Sequence, residues 1–280
     1  MTIGVPRSGP ATGARAVVLL VLLGSAPAAA HEPVFGIGPE TIYQGGLGVE
    51  LGVDFAREGG GRDRGLHTEF LFGVTEDLSL TLELPVLLRR ERETGRTSGL
   101  GDVLLRGKFQ FWRQDWLGGS RRAAAILGVK VPTGDHHRDV PLGSGSFDAV
   151  AGTSVAHESR RWYGFATARY VFRSRRHGLD RGDRVRVEVA GGVRPWLTGY
   201  LDPDLVVLLE VNAERAGRDR RGGRKLPDTG GLAVFAGPTA LLSYRNWMVK
   251  GGVQVPVAVS LHGDGKRPGR RAILALEYHF

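Results

Sequence analysis

A period-two alternation of apolar and polar residues runs through most of this chain of 280 residues and restricts it to β structure. The alternation is clearest at residues 78–86, where four leucines and a valine occupy one parity and Ser79, Thr81 and Glu83 fall on the other. Successive side chains of a strand point to opposite faces, so such a segment is a strand with one apolar and one polar face. Twelve segments follow one another from Tyr43 to Phe280, which predicts an all-β fold.

The connections between these segments alternate in length. Long connections rich in Gly and Arg are predicted after the odd-numbered segments, at Arg57–Gly65, Arg89–Gly99, Pro132–Ser146, Arg173–Gly182, Glu214–Gly230 and Ser260–Gly269. Shorter ones follow the even-numbered segments, at Thr75–Asp77, Arg113–Ser120, His157–Arg161, Pro195–Pro203 and Arg245–Asn246. This pattern favours a single up-and-down antiparallel transmembrane β-barrel of about 12 strands over the alternative, a soluble sandwich.

The two ends of the chain agree with export to a membrane. Residues 1–30 combine Arg7 and Arg15, an apolar stretch and a small-residue cleavage site, which predicts a cleaved signal peptide ahead of a barrel at residues 31–280. The apolar stretch is shorter than the roughly 20 residues that a spanning helix needs. The last strand ends on Phe280 and resembles the terminal strand of bacterial outer-membrane barrels, whose last aromatic residue contacts the insertion machinery.

Composition limits the classes of partner and chemistry. The net charge of +9 arises largely from Arg in Gly-rich connections, which in an exported protein favours a phosphate-rich membrane surface over nucleic acid. The basic segment Arg215–Lys225 either contacts lipid headgroups and lipopolysaccharide or is a solvated loop. There is no Cys, no G-x-S-x-G motif and no zinc motif, and His136 and His137 have no third ligand in sequence. We therefore expect no catalysis, no metal and no cofactor.

In a barrel, the polar parity faces the lumen. The charged residues predicted to line it are Glu69, Glu83, Asp102, Arg106, Lys108, Lys130, Asp148, Arg169, Arg184, Arg186, Glu188, Arg194, Glu210, Lys250 and Glu277. Both signs occur, so two interpretations remain open. Either these residues pair with one another to hold the fold, or they form a polar pathway in which Arg184, Arg186 and Arg194 favour anions.

Eight aromatic residues are predicted at strand ends near the short connections. They are Trp112, Trp116, Trp162, Tyr163, Trp196, Tyr200, Tyr244 and Trp247. Such a cluster is typical of the aromatic girdle of a membrane barrel, and ordinary sheet packing is the alternative.

Short glycine-rich motifs recur along the chain, at Gly73–Leu78, Gly99–Val103, Gly128–Asp135, Leu142–Asp148 and Gly252–Val257. In this order they resemble the meta-pathway phenol-degradation family of outer-membrane transporters. The resemblance implies a barrel in the bacterial outer membrane that passes small, often apolar or aromatic, molecules, with no catalytic residues. A charged lumen gated by loops is the expected mechanism. The alternatives are a non-transport barrel with a plugged interior, acting structurally or on lipopolysaccharide, and a soluble periplasmic binding protein.

Overall fold

The structure is a computed structural model that describes residues 32–176, 178–199 and 202–280. The predicted signal peptide at residues 1–30 lies outside the described residues. No helix in the described part of the chain is long and apolar enough to cross a membrane. The strands, in chain order, are β1 (Leu47–Glu58), β2 (Gly61–Gly73), β3 (Leu78–Arg92), β4 (Gly95–Leu100), β5 (Val103–Trp116), β6 (Gly119–Val131), β7 (Asp148–Ser159), β8 (Trp162–Arg173), β9 (Leu179–Asp180), β10 (Arg184–Val193), β11 (Asp204–Ala216), β12 (Arg220–Arg221), β13 (Arg224–Lys225), β14 (Gly231–Tyr244), β15 (Trp247–Leu261) and β16 (Pro268–His279).

Twelve of these strands form one closed antiparallel barrel. Around the ring the order is β1, β2, β3, β5, β6, β7, β8, β10, β11, β14, β15 and β16. β16 pairs again with β1, with Glu277 opposite Glu50, and this pairing closes the ring without an unpaired edge. The order around the ring is the order along the chain, so the predicted twelve-stranded up-and-down antiparallel barrel is confirmed.

The outer and inner surfaces of the barrel have opposite chemistry. On β11, the Leu209 side chain is 59% exposed and that of its neighbour Glu210 is 1% exposed. On β15, Val253 is 54% exposed and Gln254 is fully buried. A soluble sandwich would bury the apolar parity in its core, and here that parity is on the outside. The outer surface therefore has the apolar character of a membrane-spanning barrel.

The two ends of the barrel differ in their connections. At one end, which we call the short-turn end, strands meet through residues 117–118, 160–161 and 245–246. At the opposite end, the long-loop end, they are joined by residues 132–147 and by the longer connections that contain β4, β9, β12 and β13. Both the first residue of β1 and the last of β16 lie at the short-turn end because the strand number is even.

Two predicted connections are wrong because polar strand ends resemble loops in sequence. In place of a long connection at Arg57–Gly65, β1 and β2 meet in a two-residue turn formed by Gly59 and Gly60, with φ of 51° and 78°. Glycine suits this turn because it adopts positive φ without a steric penalty. The connection at Arg113–Ser120 likewise reduces to Leu117 and Gly118.

The segment around Pro238 is one continuous strand, β14, although its alternation is ambiguous in sequence. Proline has no N–H to donate to a neighbouring strand. The β14–β15 register skips Gly237 and Pro238, so the missing donor coincides with a gap in the hydrogen-bond ladder.

Candidate functional site

Residues 32–42 do not belong to the barrel wall, and we call them the inner segment. Their contacts are distributed around the ring. Glu32 forms an ion pair with Lys108 on β5, and the guanidinium of Arg271 on β16 lies over the ring of Phe35 at 5.0 Å. Contacts to strands this far apart place the inner segment inside the lumen, which it enters from the short-turn end.

The carboxylate of Glu210 on β11 holds the tip of the inner segment. Its two oxygens accept hydrogen bonds from the backbone nitrogens of Val34, at 2.7 Å, and Phe35, at 2.9 Å. Thr239 Oγ1 on β14 donates to the same carboxylate at 2.7 Å, and Asn212 Nδ2 donates to the carbonyl of Phe35 at 2.8 Å. The buried polar groups at this place are therefore satisfied by one another.

A second anchor lies farther along the same side of the ring, on β7 and β8. The hydroxyls of Ser154 and Thr167 each donate to the carbonyl of Ile37 at 2.6 Å, and all three residues are buried. Beside the inner segment, inward-facing apolar residues form a cluster in the half of the lumen next to the short-turn end, where a cavity of about 1000 Å³ remains. They are Ala156, Tyr163, Phe165, Ala190, Val206, Leu208, Leu241 and Met248. Together these groups obstruct that half of the lumen.

The fifteen charged residues predicted to line the lumen are all buried or half-buried. Several form pairs. Lys250 contacts both Glu50 and Glu277, the latter at 3.3 Å, and Arg106 contacts Glu69 at 3.1 Å. Such pairing agrees with the interpretation that these residues hold the fold, and a role in permeation stays a prediction.

Toward the long-loop end the pairing is less complete. Arg184 Nη1 and Arg186 Nε contact one carboxylate, that of Glu214, at 2.9 and 2.8 Å. Arg169 pairs with Glu188 on the neighbouring strand. Two guanidinium groups on a single carboxylate leave an excess of positive charge on this wall.

Arg194 does not join Arg184 and Arg186. It follows β10 at the short-turn end, where its guanidinium contacts Asp204 at 2.6 Å and lies 5.5 Å from the ring centroid of Tyr163. The length of β10 therefore separates Arg194 from Arg184 and Arg186, and an anion preference set by these three arginines stays a prediction.

Residues 132–147 fold over the lumen at the long-loop end. Asp102 accepts hydrogen bonds from the backbone nitrogens of Gly134, at 3.1 Å, and Ser144, at 2.7 Å. Lys130 bridges this site to Asp148, with Nζ 3.4 Å from the Asp102 carboxylate and 2.5 Å from that of Asp148. Glu83 lines the cavity beneath this connection.

Glu40 of the inner segment is a buried carboxyl with neither oxygen hydrogen-bonded within the described chain. The nearest cation is Arg122, with Nη1 at 3.9 Å. Burial, followed by the neighbouring carboxylates of Glu158 and Glu32, raises the pKa of Glu40 well above its ordinary value, and Lys108 and Arg122 oppose the rise.

The predicted aromatic residues lie at the short-turn end. Trp112, Trp116, Trp162, Trp196, Tyr244 and Trp247 are exposed on the outer surface. Tyr163 is an exception to the predicted girdle, because it faces inward and is buried, and Tyr200 lies outside the described residues.

The inner segment is the feature that sequence reasoning missed. Its contacts are long-range: Val34 and Glu210 are separated by 176 residues. The sequence does contain an indication of the inner segment. Residues 34–39, between the predicted cleavage site and the first strand, form an apolar stretch without alternation. Within the described residues, no group of three His, Cys, Asp or Glu could hold a metal ion.

A closed barrel with an apolar outside and an ionic inside is the architecture of outer-membrane channels and porins. The COG4313 outer membrane channel from Pseudomonas putida F1 is similar, with a TM-score of 0.73 at 16% sequence identity over 90% of this chain and 100% of that channel. The NanC porin is similar with a TM-score of 0.52 at 7% identity, over 82% of this chain and 98% of the porin. At these identities the likeness shows the fold. No match was found among curated protein sequences.

The profile of the family described as "Putative MetA-pathway of phenol degradation" matches residues 30–260. The chain therefore belongs to this family, and the resemblance of its glycine-rich motifs is confirmed.

Proposed function

We propose that this protein is a channel of the bacterial outer membrane through which small molecules diffuse. The observation that carries the proposal is the inversion of the two surfaces, with Leu209 exposed outside and Glu210 buried inside. A lipid environment stabilises so large an apolar outer surface, and an ionic interior suits a polar passage. The family and the similar solved channels support the same function.

In this proposal the inner segment is the obstruction that must move. It obstructs the half of the lumen near the short-turn end, together with the apolar cluster around Leu208 and Leu241. The barrel holds it through hydrogen bonds, from Val34 to Glu210 and from Ser154 to Ile37, and not through covalent links. Displacement of the inner segment opens a path from the long-loop end, which we propose faces outward, to the short-turn end, which faces the periplasm.

A non-transport barrel is the second candidate, and the same inner segment favours it. A permanently seated segment and paired charges such as Lys250 with Glu277 would make a plugged structural protein. In either case we propose that Phe280 contacts the insertion machinery and that lipopolysaccharide contacts the long-loop end.

The two candidates separate when the inner segment is locked in place. A Cβ on Gly36 would lie 3.6 Å from the Cβ of Glu188, within the roughly 3.5–4.5 Å that a disulfide spans. The chain has no other cysteine, so Gly36→Cys with Glu188→Cys allows one pairing. We expect the oxidised double variant to be silent in planar bilayers and its reduced form to conduct.

Glu188→Cys alone is the matched control, because it removes the partner of Arg169 without adding the lock. The channel proposal predicts that this control conducts under both oxidising and reducing conditions. If the unsubstituted protein, the control and the reduced double variant all leave the bilayer sealed, the plugged structural barrel is the better account.

A further inference from the structure

The half of the lumen next to the long-loop end is open. Two adjoining cavities of about 600 and about 860 Å³ lie there. Six residues line both cavities: Glu58, Asp63, Arg173, Arg181, Arg184 and Arg186. The two cavities therefore form one space, which we call the vestibule. A space of this size accommodates a small organic molecule.

The charge of the vestibule is unbalanced. Twelve Arg and Lys and eight Asp and Glu line it, whereas the cavity at the short-turn end is lined by six of each sign. An excess of charge of one sign in a narrow cleft with low-dielectric walls raises the local concentration of small ions of the other sign. The vestibule therefore attracts anions, and the short-turn cavity does not.

Hydrogen-bond donors on the β8–β10 wall are left over after pairing. The Nε atoms of Arg169 and Arg184 are buried and have no hydrogen-bond partner among the described residues. Arg184 and Arg186 share the single carboxylate of Glu214. A guanidinium fork with unused donors matches the two oxygens of a carboxylate.

Apolar groups accompany these donors. On β16, the guanidinium of Arg271 lies over Phe235 at 4.2 Å and over Phe35 of the inner segment at 5.0 Å, and it donates to the neutral Gln254 Oε1 at 2.9 Å. Leu232 and Phe235 line the larger cavity. A ligand for this surface carries an apolar body beside its negative group.

We infer that the vestibule is a binding site for small organic carboxylates, held by Arg184, Arg186 and Arg271 with their bodies against the apolar lining. The inference rests on the proposed channel function for its biological meaning, since it names the class of cargo. Binding itself does not depend on permeation, so the two claims are tested separately.

Benzoate is a suitable probe, and benzamide is its neutral match in shape. Calorimetry on the full-length protein in detergent tests binding, and we expect benzoate to bind and benzamide to bind at least about tenfold more weakly. Arg186→Gln should weaken benzoate binding by about tenfold, because it removes a charge-assisted donor. Arg160→Gln, at the balanced short-turn cavity, is the control and should leave benzoate binding unchanged.

Bilayer measurements then give the link to transport. In a salt gradient we expect a reversal potential of the sign that marks anion preference, reduced by Arg186→Gln and kept by Arg186→Lys. Equal binding of benzoate and benzamide, or equal loss in Arg186→Gln and Arg160→Gln, would overturn the inference. Benzoate binding to a protein that never conducts would support the carboxylate site and refute the channel instead. Heat-dependent gel migration verifies that each variant retains its barrel.

Discussion

The two halves of the lumen differ in how they are occupied and in how their charged side chains are arranged. Near the short-turn end, the inner segment and an apolar cluster obstruct the lumen beside a cavity of about 1000 Å³, and the buried carboxylates of Glu50 and Glu277 both contact Lys250. Near the long-loop end the interior is open, and Arg184 and Arg186 share one carboxylate. The first half is obstructed, and the second has an excess of positive charge at its lining. The difference separates the part of the barrel that holds the fold from the part that meets solutes.

The largest expected difference between the halves is in stability. Lys250→Met removes the lysine that two buried carboxylates share, leaving each with one histidine contact, and should lower the free energy of unfolding by about 3–5 kcal/mol. Arg184→Met leaves Glu214 paired with Arg186 and should cost about 1 kcal/mol or less. Denaturant titration in detergent or vesicles measures both. Equal losses would contradict this distinction between the two halves.

Release of the inner segment is the next largest effect. Glu210→Ala removes the acceptor of Val34 and Phe35 and should weaken the seating of the segment by about 2–4 kcal/mol. Bilayer conductance should then rise by at least about tenfold. Glu83→Ala is the matched control, since Glu83 lines the vestibule instead. A rise of equal size in both variants would show that the obstruction lies elsewhere.

The seating of the inner segment should also depend on pH. Glu40 has a pKa raised by burial and by the carboxylates of Glu158 and Glu32, relative to an ordinary value of 4.5. Its contribution to seating is therefore complete below that value and is lost as the pH rises through the raised pKa. Conductance should increase as the pH rises above the ordinary value of 4.5 and through the raised pKa of Glu40. Glu40→Gln should flatten this dependence, and an unchanged slope in that variant would exclude Glu40 as the titrating group.

The smallest effect is expected at the loop of residues 132–147. Asp102→Asn weakens the contacts to Gly134, Ser144 and Lys130, so protease should cleave this loop faster in the variant. Conductance should change by less than about twofold, because the obstruction is in the other half. A change in conductance as large as that of Glu210→Ala would indicate that the gate lies at the long-loop end.

The wall of the barrel follows from sequence because its rule is local. Alternation along β11 assigns Leu209 outward and Glu210 inward without knowledge of any other strand. Polar strand ends such as Arg57 and Arg62 do not follow from that rule, since they pair across a tight turn while resembling a loop.

The interior does not follow from sequence because its contacts join distant parts of the chain. The polar parity of the strands identifies the residues that face the lumen, but it does not give their positions along the barrel axis. Only the register shows that Arg194 lies far from Arg186 along that axis. The same parity also contains Val206 and Leu208, which build an apolar filling that the charge pattern does not indicate. The inner segment has no periodicity to indicate that it lies in the lumen.

The central claim, that the apolar parity meets lipid, is tested most directly by the oxygen accessibility of single spin labels at residues 272–277 of this cysteine-free chain in lipid vesicles. The account predicts maxima at Ala272, Leu274 and Leu276 and minima between them, because Leu274 is 60% exposed and Ala275 is 2% exposed. Maxima at residues 273, 275 and 277, or no alternation at all, would contradict it.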